Sequence, residues 1–137
     1  MICENILITE GSLQNVLQND AKVGYSFSVR MPFYRSFPLS CLFDIALSVD
    51  GKPVDMADLT FELNEKHYKV AALLELTNVW WRMFDEVILI VRKDGGLEKG
   101  EHNMDLTIRV RFPYIPNAIN DGKPALYISH KNKTLFI

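Results

Sequence analysis

Met104-Asp105-Leu106-Thr107-Ile108-Arg109-Val110-Arg111-Phe112 is the stretch whose reading decides the fold. Met104, Leu106, Ile108, Val110 and Phe112 alternate with Asp105, Thr107, Arg109 and Arg111. Successive side chains of a strand point to opposite faces, so this period of two sends one set to a core and the other to water. Pro113 has no amide proton to give a ladder, and it ends the strand. Arg109 and Arg111 then read as a solvated sheet face.

The same period recurs upstream. Val23, Tyr25, Phe27, Val29 and Met31 share one face of a run that starts at Lys22 and stops at Pro32. Phe43, Ile45, Leu47 and Val49 alternate with Asp44, Ala46, Ser48 and Asp50, and Asp50-Gly51 then gives the strongest short hairpin signal. Thr60–Leu63 is a short strand. Val87–Val91 is continuously apolar, which predicts a central strand covered on both faces. Asp94–Gly100 is turn-rich, and Ile6–Thr9 and Leu135–Ile137 are weaker terminal strands. Val70–Leu76 is the helix candidate, and it is too short to persist without tertiary packing. The expected fold is all-β: an antiparallel β-sandwich of about seven or eight strands with at most one short helix. Phe27, Ile45, Leu47, Ile108 and Val110 belong in its core.

The chain has 137 residues, 48% hydrophobic and 23% charged, which excludes a disordered or collagen-like chain. That length buries roughly two thirds of the unfolded surface. No repeat or linker divides it, so one domain over residues 1–137 is expected. Fifteen Lys and Arg against seventeen Asp and Glu give a net charge of -2, and no basic run marks a nucleic-acid face. No apolar run approaches the ~20 residues of a membrane span. Met1–Asn5 has no basic n-region and no long apolar h-region, so no secretory leader is expected. The expected location is cytoplasmic, with Cys3 and Cys41 reduced. Asn132-Lys133-Thr134 matches a glycosylation sequon by chance in that setting.

Catalytic signatures are missing. His67, His102 and His130 form no metal-ligand spacing, and the cysteines form no CxxC. Gly95-Gly96 lies in no phosphate-loop pattern, and no GxSxG elbow occurs. No catalytic residue and no metal ligand is therefore assigned to this chain. Two segments stand out instead: Met31–Ser40 and Arg111–Asn117, each with two prolines among aromatics. Proline stiffens a loop, and aromatics give large contact area at low entropic cost. Phe33, Tyr34, Arg35, Tyr114 and Ile115 are the candidate contacts to a partner or a substrate mouth. The alternative is that these aromatics fold back and plug the sandwich ends. In Trp80-Trp81, neighbours on a strand face opposite ways, so one ring belongs to the core and the other to the surface or an interface.

The chain resembles a known family, the small beta subunit of bacterial C-glycoside deglycosidases. The resemblance is carried by Ser12-Leu13-Gln14-Asn15, by Gly24–Arg35 with its Arg30-Met31-Pro32-Phe33-Tyr34-Arg35 ending, and by Pro38-Leu39-Ser40. It continues through Val49-Asp50-Gly51-Lys52-Pro53-Val54, Gly95-Gly96-Leu97, Gly100-Glu101-His102 and Tyr114-Ile115-Pro116. It implies a sandwich subunit of a heteromeric lyase whose alpha subunit resembles a TIM-barrel, xylose-isomerase-like protein. That partner would carry a divalent metal, manganese, and this chain would bind no cofactor. The complex would cleave the carbon–carbon bond between a 3-oxo-sugar and an aromatic, flavonoid-type aglycone. The family's metal ligands belong to the other subunit, so none is transferred here, and the isolated chain is expected to be inactive. The competing expectation is a free-standing carbohydrate-binding or adaptor sandwich.

Overall fold

The structure is a computed structural model that describes residues 8–9, 11–30, 36–76, 78–82, 85–111 and 126–137. In chain order its strands are β1 (Gln14–Gln18), β2 (Ala21–Val29), β3 (Phe37–Pro38), β4 (Leu42–Val49), β5 (Lys52–Pro53) and β6 (Leu59–Leu63). They continue with β7 (Lys66–Lys69), β8 (Trp80–Trp81), β9 (Val87–Arg92), β10 (Glu101–Arg111) and β11 (Leu126–Phe136). One sheet has five strands in the order β1-β2-β9-β6-β7, and a second has four in the order β11-β10-β4-β5. β3 and β8 form a separate two-stranded ladder. Among the described residues every pairing is antiparallel. Setting aside the two-residue strands, eight remain, and together they make an antiparallel β-sandwich.

Alternation explains the core. Tyr25, Phe27 and Val29 of β2, Val87, Leu89 and Val91 of β9, and Leu59, Phe61 and Leu63 of β6 are buried on the inner face of the first sheet. Met104, Leu106, Ile108 and Val110 of β10 meet them with Ile45, Leu47 and Val49 of β4 from the second. Phe27, Ile45, Leu47, Ile108 and Val110 are all buried, as their strand parity requires. Each such side chain contributes about 1.5–3 kcal/mol of hydrophobic stabilisation. Trp81 fills one end of this core, with ring centroids 5.7 Å from Phe37 and 5.4 Å from Phe61. Its indole N–H donates to the Asp85 carbonyl at 2.8 Å, so the largest core side chain leaves no polar atom unpaired.

Three tight hairpins connect neighbours. Asp50 and Gly51 between β4 and β5 have φ of 52° and 80°. Asn19-Asp20 between β1 and β2 and Asn64-Glu65 between β6 and β7 take the same doubly left-handed path. That geometry matches the right-handed twist of the flanking strands.

Three sequence expectations are corrected. Val70–Leu76 is not an α-helix: Val70–Glu75 forms a 3-10 stretch, the tighter turn that suits a segment this short. β9 is central, but it is not covered on both faces. Val87, Leu89 and Val91 are buried while Ile88 and Ile90 are half-exposed on the outer face. The terminal strand is not three residues but the eleven of β11, paired along its length with β10. Lys131 and Lys133 share the inward parity of Ser129 and Leu135, which breaks the apolar alternation of the strand. Inward charge on an edge strand discourages pairing with another chain. Of the weak strand at Ile6–Thr9, Ile8 makes one antiparallel bridge to Val29. Among the described residues no helix is long and apolar enough to cross a membrane.

Candidate functional site

The proline-aromatic residues Phe33, Tyr34, Arg35, Tyr114 and Ile115 lie outside the described residues. Among the described motif residues, Val49–Val54, Gly95–Leu97 and Gly100–His102 come together at one end of the sandwich. The Asp50-Gly51 turn meets the start of β10 there. Asp50 Oδ1 accepts from the Asn103 amide at 2.8 Å, and the Asp50 amide donates to the Asn103 carbonyl at 2.9 Å. His102 Nδ1 lies 2.7 Å from Asp50 Oδ2, and its Nε2 lies 2.6 Å from the Glu98 carbonyl. Both partners only accept, so both contacts are hydrogen bonds together only when each ring nitrogen carries a proton, which is the imidazolium form. The His102 side chain is 11% exposed. The Glu98 carbonyl, and then the Asp50 carboxylate, raise the His102 pKa above the ordinary histidine value despite the cost of burial. The hydrogen bonds from His102 and the Asn103 amide hold Asp50 below the usual carboxylate range.

A second tie joins other motif pieces. Asn15 Nδ2 donates to the Leu97 carbonyl at 3.1 Å, and the Leu97 amide donates to Asn15 Oδ1 at 2.8 Å. Gly96 makes this approach possible: its φ is +61°, and a Cβ there would sit 2.3 Å from Asn15 Oδ1. Ser12 Oγ accepts from the Ser28 amide at 3.0 Å and donates to the Thr9 carbonyl at 2.6 Å. These side chains satisfy backbone groups that the sheets leave open.

Beside the Asp50 turn is a cleft of about 260 Å³, lined in part by Tyr25, Asp50, Lys52, Asp58, Arg92 and Lys93. Burial, with the Asp50 and Asp58 carboxylates, pushes the Tyr25 phenol up to about 12, so it stays neutral. A general base needs a free lone pair within reach of a substrate proton. In the imidazolium form His102 has none, and Asp50, held below the usual carboxylate range by its hydrogen bonds, is a weak base. This cluster is a structural clamp. His67 and His130 are exposed and lie 2.6 Å from Glu62 and Asp105, cross-strand neighbours on the outer sheet faces. Arg109 pairs with Asp44 across β10 and β4. Among the described residues no three His, Cys, Asp or Glu side chains gather to hold a metal.

The tryptophans divide as their parity requires. Trp81 is fully buried, and Trp80 is 47% exposed. Trp80 borders a second cleft of about 260 Å³ with Asn64, Lys66, Tyr68, Asn78 and Arg82 on its walls. Sequence reasoning separated the two indoles but missed this cleft, because Lys66 and Tyr68 reach it from a strand that shows no alternation of its own.

Comparison with known proteins bears on this geometry. The family profile for C-glycoside deglycosidase beta subunits matches residues 3–114. The chain is 36% identical over 103 residues to a 3'-dehydrocarminate deglycosidase beta subunit from a Microbacterium species, covering 74% of each chain. It is 31% identical over 107 residues to a C-glycoside deglycosidase beta subunit from Microbacterium trichothecenolyticum, covering 76% of each. A C-glycoside deglycosidase beta subunit from Eubacterium cellulosolvens is 26% identical over 120 residues, which is 87% of this chain and 82% of the relative. The matched span holds both ties of the clamp, from Asn15–Leu97 to Asp50–His102, and on the strength of that span and these identities the chain belongs to the C-glycoside deglycosidase beta subunit family.

Proposed function

We propose that this chain is the non-catalytic subunit of a heteromeric lyase that cleaves the carbon–carbon bond between a 3-oxo-sugar and an aromatic aglycone. Carbon is a poor leaving group, so a C-glycosidic bond resists acid hydrolysis. A 3-oxo group acidifies the hydrogen on C2. Its removal by a base lets a C1–C2 double bond form as the bond to the aglycone breaks, and the aglycone carbon takes up a proton. A divalent metal, manganese, supplies Lewis acidity for such chemistry when bound. The described residues of this chain do not fit that ion, and we assign its ligands to a TIM-barrel-like alpha subunit. The observation that carries the division of labour is His102: a secluded imidazole with both nitrogens bound inside the chain is built to hold a turn. Phe33, Tyr34, Arg35, Tyr114 and Ile115 are assigned to contacts with the alpha subunit or the mouth of its pocket.

The test is reconstitution. The purified chain should leave a 3-oxo C-glucoside untouched, and adding the alpha subunit should release aglycone in a chelator-sensitive way. Tyr34→Ala or Arg35→Ala should lower assembly or turnover while the isolated fold stays intact. Turnover by this chain alone, with the partner rigorously excluded, overturns the proposal.

A further inference from the structure

We infer that the cleft beside Trp80 is an anchor point for the alpha subunit, and that it receives an apolar side chain flanked by carboxylates. This inference rests on the subunit reading above and adds the surface and its chemistry. Trp80 is the most bulky of the exposed apolar side chains, and it is held on a rigid base. Its strand pairs with β3, where Pro38 stands opposite Trp80 and Phe37 opposite the fully buried Trp81. The backbone that carries the indole is therefore fixed to the core. A tryptophan has only two rotatable side-chain bonds, so little rotamer freedom is lost on binding, which is what makes aromatic anchors effective.

Charge identifies the occupant. In a chain of net charge -2, this cleft is lined by Lys66 and Arg82 and, among the described residues, by no carboxylate. Neither cation has an ion-pair partner among the described residues. β7, which brings Lys66 and Tyr68, is the edge of the five-stranded sheet, so the cleft opens sideways and not onto another strand. Asn64 and Asn78 add amides at its rim. Trp, Tyr and Arg around a side-chain-sized hollow is the composition of interface hot spots, and complementary charge sets the approach of the partner.

The two indoles make the test direct, because Trp81 is shielded in the free chain and only Trp80 can meet a quencher. Acrylamide quenching of tryptophan fluorescence is measured on the free chain and on its complex with a tryptophan-free alpha subunit. The accessible fraction should disappear on assembly. Trp80→Ala should weaken association about 30-fold, the scale of a hot-spot truncation, with an unchanged far-ultraviolet spectrum for the free chain. Trp80→Phe should restore part of that loss. Arg82→Gln with Lys66→Gln should flatten the salt dependence of association. If Trp80 stays equally quenchable in an active complex, the inference fails while the subunit reading stands. If the wild-type chain forms no complex, both fall. If sugars alone protect Trp80 in the free chain, the cleft is a ligand platform and the inference is overturned.

Discussion

His102 and Asp50 lie 52 residues apart, yet they set the behaviour of one end of the molecule. The Asp50-Gly51 turn was legible because its residue types tolerate a positive φ and strands flank it. The tie to His102 was not, since no local spacing announces a contact between a hairpin and the start of a distant strand. The tie has a pH signature. His102 is raised in the folded chain, so its contribution is full below the unfolded value near 6.5 and is lost as pH rises through the folded value. Asp50 is lowered, so its contribution is present above 3.8 and is lost as pH falls through its folded value. Together they support the fold most between those limits. His102→Gln should lower the melting temperature at pH 5.5 and by less at pH 9. An equal loss at both values would mean that the charge of the imidazole is irrelevant.

Among the elements, β2 shows how little side chain can be tolerated where strands crowd. Gly24 is paired with Arg92 of β9, and a Cβ on it would come 2.1 Å from the Val91 carbonyl oxygen. A backbone atom cannot swing aside, so Gly24→Ala must push β2 away from β9 and loosen the central pair of the sheet. Overpacking typically costs about 1–3 kcal/mol, and Gly24→Ala should lower the urea midpoint accordingly. An unchanged midpoint would show that the two strands can part at no cost. Alternation made β2, β4 and β10 readable, because one face of each is buried and the other wet. It failed on β11, where inward Lys131 and Lys133 interrupt the pattern, and on β7, which is four residues long with two lysines and a histidine. Hairpins without glycine, at Asn19-Asp20 and Asn64-Glu65, were hidden for the complementary reason: their residues reach the left-handed region without advertising it.

At the scale of the whole molecule, the fold class followed from periodicity, and the family from the order of short motifs. The structure adds why those motifs hold together: Asn15 grips Leu97, Ser12 grips Ser28, and His102 grips Asp50. The proline-aromatic loops stand out in the sequence and lie outside the described residues, whereas the Trp80 cleft needed the pairing of β3 with β8 to assemble it. Cys41, a buried free thiol between β3 and β4, gives this molecule an internal clock. A reagent can alkylate it only while the sandwich is open, so the rate of modification, followed on the Cys41 peptide to keep Cys3 apart, counts openings. When reclosing outruns the reagent, that rate follows the open population, and a partner that binds only the closed form slows it by a factor of one plus its concentration over Kd. Saturating alpha subunit at 100 times Kd should therefore slow Cys41 alkylation about 100-fold. A rate untouched by the partner would mean that Cys41 is reached through a local fluctuation that assembly does not restrain.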